Sequence, residues 1–149
     1  MNKFISARIV AAIDFTDEAD RSLEYAIELA SSAKHVTSLH VASSVTTVVP
    51  GVAWQDLNAN RQQTLREAFA RRYSGPKYRG VQFEVRFGDI AWEIAAYAKH
   101  VGAGLIVLSS HRRTGLARLL FRSKAERVVR FPHCPVMILQ DEETSAAAA

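Results

Sequence analysis

Residues 105–130 read LIVLSSHRRTGLARLLFRSKAERVVR, and this stretch decides the fold. It begins with the apolar run 105–108, passes through the small and polar residues Ser109, Ser110 and His111, and continues as a basic loop and an amphipathic segment. A strand, a polar turn and the start of a helix form the arrangement in which a parallel α/β sheet presents backbone N–H groups to an anion. The stretch therefore predicts both the class of fold and the place where a ligand would bind.

The rest of the chain repeats this alternation of strand and helix. Short apolar runs predict strands, and apolar residues spaced i, i+3, i+4 and i+7 predict amphipathic helices. The predicted strands cover residues 7–13, 36–41, 81–85, 105–108 and 136–139, and the predicted helices cover 17–33, 55–73, 90–101 and 118–130. Thr16 and Asp89 are the predicted N-caps, because each precedes a helical pattern and carries a side-chain oxygen that can accept from its first turn.

Helices between consecutive strands force parallel pairing with right-handed crossovers. The chain is therefore predicted to form an α/β fold with a five-stranded, parallel, doubly wound sheet and helices on both faces. Residues 81–85 alternate strictly, which is typical of an edge strand. In such sheets ligands bind outside the carboxyl ends of the strands, where the winding reverses. Asp14 and Ser109 follow the first and fourth strands, so we expect both to line one crevice if these strands are neighbours.

The composition of the chain bears on the number of domains, the redox compartment and the location of the protein. The 149 residues, 48% of them hydrophobic, suit a single domain over residues 1–140, with a disordered tail at 141–149. The single cysteine, Cys134, allows no internal disulfide and favours a reducing compartment. No apolar run approaches the roughly 18 residues of a membrane span, and no secretory leader is recognisable, so a cytoplasmic location without membrane attachment is expected.

The formal charge of +4 permits attraction to phosphate-bearing partners. Most of the basic residues near the carboxyl end lie in residues 112–130, which either form a polyanion-binding patch or simply face water; we favour the solvated face. Nucleic acid is an unfavoured partner, since no aromatic residues alternate with these charges.

His133 and Cys134 are adjacent and so point to opposite faces, which favours a buried structural thiol over a nucleophile or a metal site. Trp54 and Trp92 are predicted to pack.

Three segments carry a family resemblance that covers nearly the whole chain. VAAIDFTDEADRSLEYAIELA at residues 10–30, GDIAWEIAAYAKHVGAGLIVLSSHRRTGL at 88–116 and SKAERVVRFPHCPVMIL at 123–139 resemble the universal stress protein family. The resemblance implies an adenine-nucleotide α-hydrolase-like sheet with strand order 3-2-1-4-5. It also implies a homodimer that forms through the last strand, here Val136, Met137, Ile138 and Leu139.

Many members of that family bind ATP through a loop whose signature is a glycine, two residues, a second glycine, nine residues, and a third glycine before Ser or Thr. Carried over residue by residue, the glycines fall on Ser109, Arg112 and Arg122, and only the closing hydroxyl of Ser123 matches. Glycine lets the backbone approach phosphate oxygens and adopt positive φ, whereas arginine obstructs that approach but can itself bind phosphate. The implied nucleotide-binding residues are Asp14, Val41, Ser109, His111, Arg112, Arg122, Ser123 and Lys124.

Three functions follow from these patterns. The favoured one is a homodimer that acts in the stress response through contacts with an unidentified protein partner and has a degenerate ATP-binding loop. The first alternative is a stress sensor that binds ATP, with Mg²⁺, by using Arg112 and Arg122 in place of the glycines. The second alternative is a slow ATPase. No GxSxG, HExxH, CxxC or Walker A motif is present, so no catalytic or metal-binding residue is assigned and no cofactor is certain.

Overall fold

The computed structural model describes residues 7–43, 54–109 and 133–139. The strands are β1 (Arg8–Ala12), β2 (Val36–Ala42), β3 (Gln82–Phe87), β4 (Ala103–Ser109) and β5 (Val136–Leu139). The helices are α1 (Asp17–Leu29), α2 (Trp54–Arg72) and α3 (Ile90–His100), with short 3₁₀ turns at Ala33–His35 and Pro76–Tyr78. The predicted helix over 118–130 and the tail at 141–149 lie outside the described residues.

The five strands form one parallel sheet with the order β3-β2-β1-β4-β5. This confirms the predicted sheet and the predicted edge position of β3. Connections run outward from β1 to β2 and β3, and the chain then crosses back to β4 on the other side of β1. The winding therefore reverses between β1 and β4, which is where open α/β sheets bind ligands.

Two hydrophobic clusters cover the two faces of the sheet. One includes Leu39, Ile94 and Ile106 and lies on the α3 side. The other includes Leu23 and Leu105 and lies on the α1 side. Neighbouring residues of β4 thus point into opposite clusters, and this burial on both faces explains why the strand reads as a continuous apolar run.

Local capping agrees with the sequence pattern at two helices. The Thr16 hydroxyl accepts from the backbone N–H of Ala19 at 3.3 Å, and the Asp89 carboxylate accepts from that of Trp92 at 2.9 Å. Both predicted N-caps are confirmed. Each satisfies a backbone donor that has no partner within its own helix.

Helix α1 is shorter than predicted, since it ends at Leu29 and not at residue 33. Ala30 is already extended, and the Ser32 hydroxyl accepts from the backbone N–H of Lys34 at 3.3 Å to begin a 3₁₀ turn. Serine side chains compete with the helix for backbone hydrogen bonds, so the pair Ser31-Ser32 ends the helix although the apolar periodicity continues.

Trp92 and Cys134 are less buried than the sequence predicts. Trp92 was expected to pack, but it is 61% exposed, because the buried positions of α3 lie on its opposite side. Cys134 was expected to be buried; it packs against the α3-side cluster but is only half-buried, because it lies in the turn before the edge strand β5. In the part of the chain that the structure describes, no helix is long and apolar enough to cross a membrane.

Candidate ligand-binding crevice

The structure brings Asp14 and Ser109 to the same edge of the sheet. Strands β1 and β4 pair directly, with Ala11 opposite Val107. Ser109 is the last residue of β4, and Asp14 lies two residues beyond β1. Both residues therefore stand at the carboxyl ends of neighbouring strands, on either side of the point where the winding reverses.

Asp14 is held in a tight turn at the start of α1. Its Oδ1 accepts from the backbone N–H of Thr16 at 3.1 Å and from the Thr16 hydroxyl at 2.5 Å. The Thr16 oxygen in turn caps α1 through Ala19. The exposed carboxylate of Asp14 is thus fixed by the same hydroxyl that begins the helix.

The charge around this turn is acidic. The first turn of α1 carries Asp17, Glu18 and Asp20, directly after Asp14. Helix N-termini ordinarily attract phosphate through their exposed N–H groups. Here four carboxylates lie close to that end, and Arg72 forms ion pairs with two of them, Asp17 and Asp20. Carboxylates accept hydrogen bonds, so this side of the crevice offers acceptors for neutral donors such as sugar hydroxyls.

Phe15 has a left-handed backbone, with φ at +62°. For a bulky residue this conformation costs about 1–2 kcal/mol. Its ring packs edge-to-face on His40, with centroids 5.0 Å apart, and on Phe83 at 6.2 Å. The aromatic packing offsets the backbone strain, and strain of this kind tends to persist at functional sites.

His40 joins the ends of β1 and β2. Its Nδ1 lies 2.9 Å from the carbonyl oxygen of Ile13, and the Ile13 N–H donates to the carbonyl of Leu39 at 2.9 Å. A carbonyl only accepts, so Nδ1 carries the proton. Sequence reasoning passed over both Phe15 and His40. The one available signal was a histidine within the otherwise uncharged strand VTSLHVA.

Val41, which the resemblance placed beside the adenine and ribose, belongs to the α3-side core and is 9% exposed. A ligand beside it would therefore meet mainly the backbone of β2. The ends of β2 and β3 are tied together here, because the Gly88 N–H donates to the carbonyl of Ala42 at 3.0 Å.

A basic side chain that the sequence analysis did not identify stands at the same edge. Arg61 of α2 donates from Nη1 to the carbonyl of Ser43 at 3.1 Å. Its guanidinium lies 5.2 Å from the centre of the Phe87 ring. Arg61 therefore connects α2 to the carboxyl ends of both β2 and β3.

The other predicted nucleotide contacts lie outside the described residues: His111, Arg112, Arg122, Ser123 and Lys124. Of the predicted set, the structure brings together Asp14, Val41 and Ser109 at one edge. Within the described ranges, no three His, Cys, Asp or Glu side chains are placed to hold a metal ion.

The proposed dimer strand β5 forms the other edge of the sheet. All four of its residues are half-buried. Met137 and Leu139 pack against the α1-side cluster, and Val136 packs against the α3-side cluster.

Just before β5, the Nε2 atom of His133 lies 2.9 Å from the carbonyl oxygen of Ala103, and burial raises the pKa of the Cys134 thiol. Both observations argue against a His–Cys nucleophile.

Comparisons with known proteins agree with this architecture. The model of the universal stress protein family matches residues 6–140. A universal stress protein of Methanocaldococcus jannaschii is 32% identical over 133 residues, which cover 84% of this chain and 78% of the relative. The solved structure of the universal stress protein UspA from Lactobacillus plantarum has a TM-score of 0.67 at 21% identity and covers 91% of this chain and 98% of its own. A universal stress protein solved in complex with cAMP has a TM-score of 0.55 at 20% identity and covers 88% of this chain and 94% of its own.

Proposed function

The chain belongs to the universal stress protein family, as its motifs predict, and on this basis we propose that it acts as a cytoplasmic homodimer in the stress response. It acts by binding another protein and not by catalysing a reaction. Its crevice holds an adenine nucleotide by the nucleoside part, while the loop that would hold the phosphates is degenerate.

The observation that carries the nucleoside part of this proposal is the turn around Asp14. A carboxylate fixed by Thr16 at the reversal of winding can accept hydrogen bonds from ribose hydroxyls. A related protein solved with cAMP adds support, since that ligand also carries adenine and ribose.

The degenerate loop is proposed from the residues that replace the glycines. Ser109 ends β4 where the family signature has its first glycine, and Arg112 and Arg122 occupy the other two positions. A side chain at these positions keeps the backbone N–H groups from the close approach that a phosphate cradle needs. Phosphates then contribute little to affinity.

The homodimer is proposed from β5. This edge strand leaves one row of backbone groups without a neighbouring strand among the described elements, and its four apolar side chains are only half-buried. A second copy that adds its own β5 would pair these backbone groups and cover the side chains.

The second candidate function is the ATP sensor, in which Arg112 and Arg122 replace the glycine cradle. The organised turn at Asp14 favours it as well, because it would anchor the same nucleoside. Guanidinium groups bind phosphate through two parallel hydrogen bonds, so this candidate predicts that each added phosphate raises affinity. Slow ATP hydrolysis stays a further alternative from the sequence, and no specific contact of the described residues favours it.

A phosphate series distinguishes these functions. Adenosine, AMP, cAMP and ATP are titrated by calorimetry into nucleotide-free protein, with and without Mg²⁺. Under the degenerate-loop proposal, adenosine and ATP have affinities within about threefold of each other. Under the arginine-cradle candidate, ATP binds more than about tenfold tighter than adenosine, and R112A and R122A each remove that gain.

The variant that tests the nucleoside contact is Asp14→Asn, which keeps an oxygen that accepts from Thr16 but removes the charge. We expect it to weaken adenosine binding by about tenfold, the loss typical of hydrogen bonds to a charged group. No binding by any of the four ligands would overturn the nucleoside part of the proposal. The function through protein contacts alone would then remain.

A further inference from the structure

We propose that His40 is a positioning residue for the crevice: its Nδ1–H holds the left-handed β1–α1 turn and thereby fixes the direction of the Asp14 carboxylate. This inference rests on the nucleoside-binding function proposed above. It assigns His40 no direct contact with a ligand.

The first step of the argument is the hydrogen bond itself. The 2.9 Å contact from His40 Nδ1 to the Ile13 carbonyl fixes the residue immediately before Asp14. The same residue is also held from β2 through its N–H and Leu39. Ile13, directly after β1, is therefore tied to β2 by one backbone bond and one side-chain bond, and the turn begins from a fixed point.

The second step is the strain at Phe15. A φ of +62° lets the chain turn sharply between Ile13 and Thr16, and it is unfavourable for a phenylalanine. The His40 ring contacts the Phe15 ring edge-to-face while its Nδ1 holds Ile13. One side chain thus restrains the turn on both sides of Asp14.

The third step is the consequence for Asp14. Its bonds to Thr16 fix Oδ1 relative to α1, and His40 fixes the preceding backbone relative to the sheet. Together they hold the carboxylate at the carboxyl edge of the sheet, the edge at which β4 ends with Ser109. If the His40 bond is lost, the turn can relax from its strained conformation and the carboxylate changes direction. Binding then weakens although no ligand contact has been removed.

The chain offers matched variants for a test. His40→Leu keeps an apolar side chain against Phe15 but removes the donor. His40→Asn restores a donor at the δ position, where it can reach the Ile13 carbonyl. His35→Leu is the control, because His35 directly precedes β2 at its opposite end and its Nδ1 lies 2.9 Å from the hydroxyl of Ser31, four residues away.

The experiment combines adenosine affinity with amide exchange and histidine NMR. We expect His40→Leu to weaken adenosine binding about fivefold to tenfold, the effect of one lost hydrogen bond, and His40→Asn to restore it to within about twofold. His35→Leu should bind as the wild type does. Two-dimensional ¹⁵N–¹H spectra of the wild type, recorded where imidazole is neutral, should show the proton of His40 on Nδ1.

The outcomes separate this inference from the function on which it depends. If the wild type binds adenosine and His40→Leu binds it equally well, the positioning role is overturned and the proposed function stands. If the wild type binds no nucleoside, the nucleoside-binding part of the proposed function fails. Hydrogen exchange at the Thr16 and Ala19 amides then decides whether His40 restrains the turn. Faster exchange in His40→Leu, reversed in His40→Asn, then supports the restraint on the turn, and unchanged exchange overturns it.

Discussion

The Tyr73 hydroxyl donates to Oδ1 of Asp20 at 2.5 Å and so joins the end of α2 to the first turns of α1. Arg72 bonds to the same carboxylate at 3.0 and 2.7 Å and to Asp17 at 2.8 Å. Burial, with the hydrogen bond to Asp20 next in importance, raises the pKa of Tyr73, so the phenol stays a donor throughout the ordinary pH range.

This geometry makes Asp20 the central group of the network. Asp20→Ala removes the acceptor of both Tyr73 and Arg72, and we expect a loss of about 1–3 kcal/mol in the free energy of unfolding by denaturant. Tyr73→Phe removes one hydroxyl only and should cost about 1 kcal/mol. Asp17→Ala is the control: its carboxylate is exposed, and removing a surface partner should change stability by no more than about 0.5 kcal/mol. A loss in Asp17→Ala equal to that in Asp20→Ala would contradict the central place of Asp20.

Gly88 provides the second prediction. Its φ of +145° is unfavourable for residues with a side chain, and an added Cβ would lie 3.2 Å from Oε1 of Glu93. Gly88→Ala should therefore lower stability by about 1–2 kcal/mol. Gly102, with φ at +63° and open space around it, is the matched site: Gly102→Asn should be nearly neutral, because asparagine tolerates this conformation. Thermal unfolding of the two variants tests the difference, and equal losses would refute it.

The sequence predicted the features of this fold that depend on local patterns. Thr16 and Asp89 were recognisable as caps because a cap needs only a suitable side chain next to its own helix. The order of the strands and the pairing of β1 with β4 followed from the family resemblance, and the structure confirms both. The placement of Asp14 and Ser109 at one edge then followed from topology alone.

The missed features depend on contacts between residues distant in sequence. The left-handed conformation of Phe15 has no compositional signal, because phenylalanine does not favour it; it persists through His40 and Phe83, which lie far along the chain. In the sequence, Arg61 is one of several charged residues on a polar helix. Its role at the edge of the sheet is visible only from its contacts with residues next to β2 and in β3. Trp92 was assigned to packing from its residue type, although the helical position decides which side it faces.

Cys134 provides a prediction about reactivity. Burial raises the pKa of its thiol, and the thiolate is the reactive species. We expect alkylation by iodoacetamide to be slower than for the same chain in denaturant at the same pH. The rate in the native protein should also keep rising with pH after that of the denatured chain has levelled off. A native rate equal to the denatured rate would show that the half-buried thiol is accessible and unperturbed.

The Glu24–Lys77 pair gives stability a dependence on pH. The hydrogen bond from Lys77 lowers the pKa of Glu24, partly against its burial, below the ordinary value of 4.5. Its contribution is therefore fully present above pH 4.5 and is lost as the pH falls through the lowered folded-state value. Denaturation curves of the wild type and Glu24→Gln should differ most above that window and converge below it. A difference in stability between the wild type and Glu24→Gln that grows on acidification would contradict this prediction.

The edge strand β5 carries the prediction about assembly. Met137 and Leu139 pack against the α1-side cluster, so changing them would damage the monomer itself. Ile138 is half-buried, and among the described residues it is the member of β5 that packs against neither cluster. A charge there should break contact with a second copy and leave the fold intact.

Light scattering should give twice 16.5 kDa for the wild type and 16.5 kDa for Ile138→Asp, with the circular dichroism unchanged. Tyr25→Asp is the control, since Tyr25 is an exposed aromatic on α1, and it should stay dimeric. A dimeric Ile138→Asp would move the interface away from β5, and a monomeric wild type would remove the dimer from the proposed function.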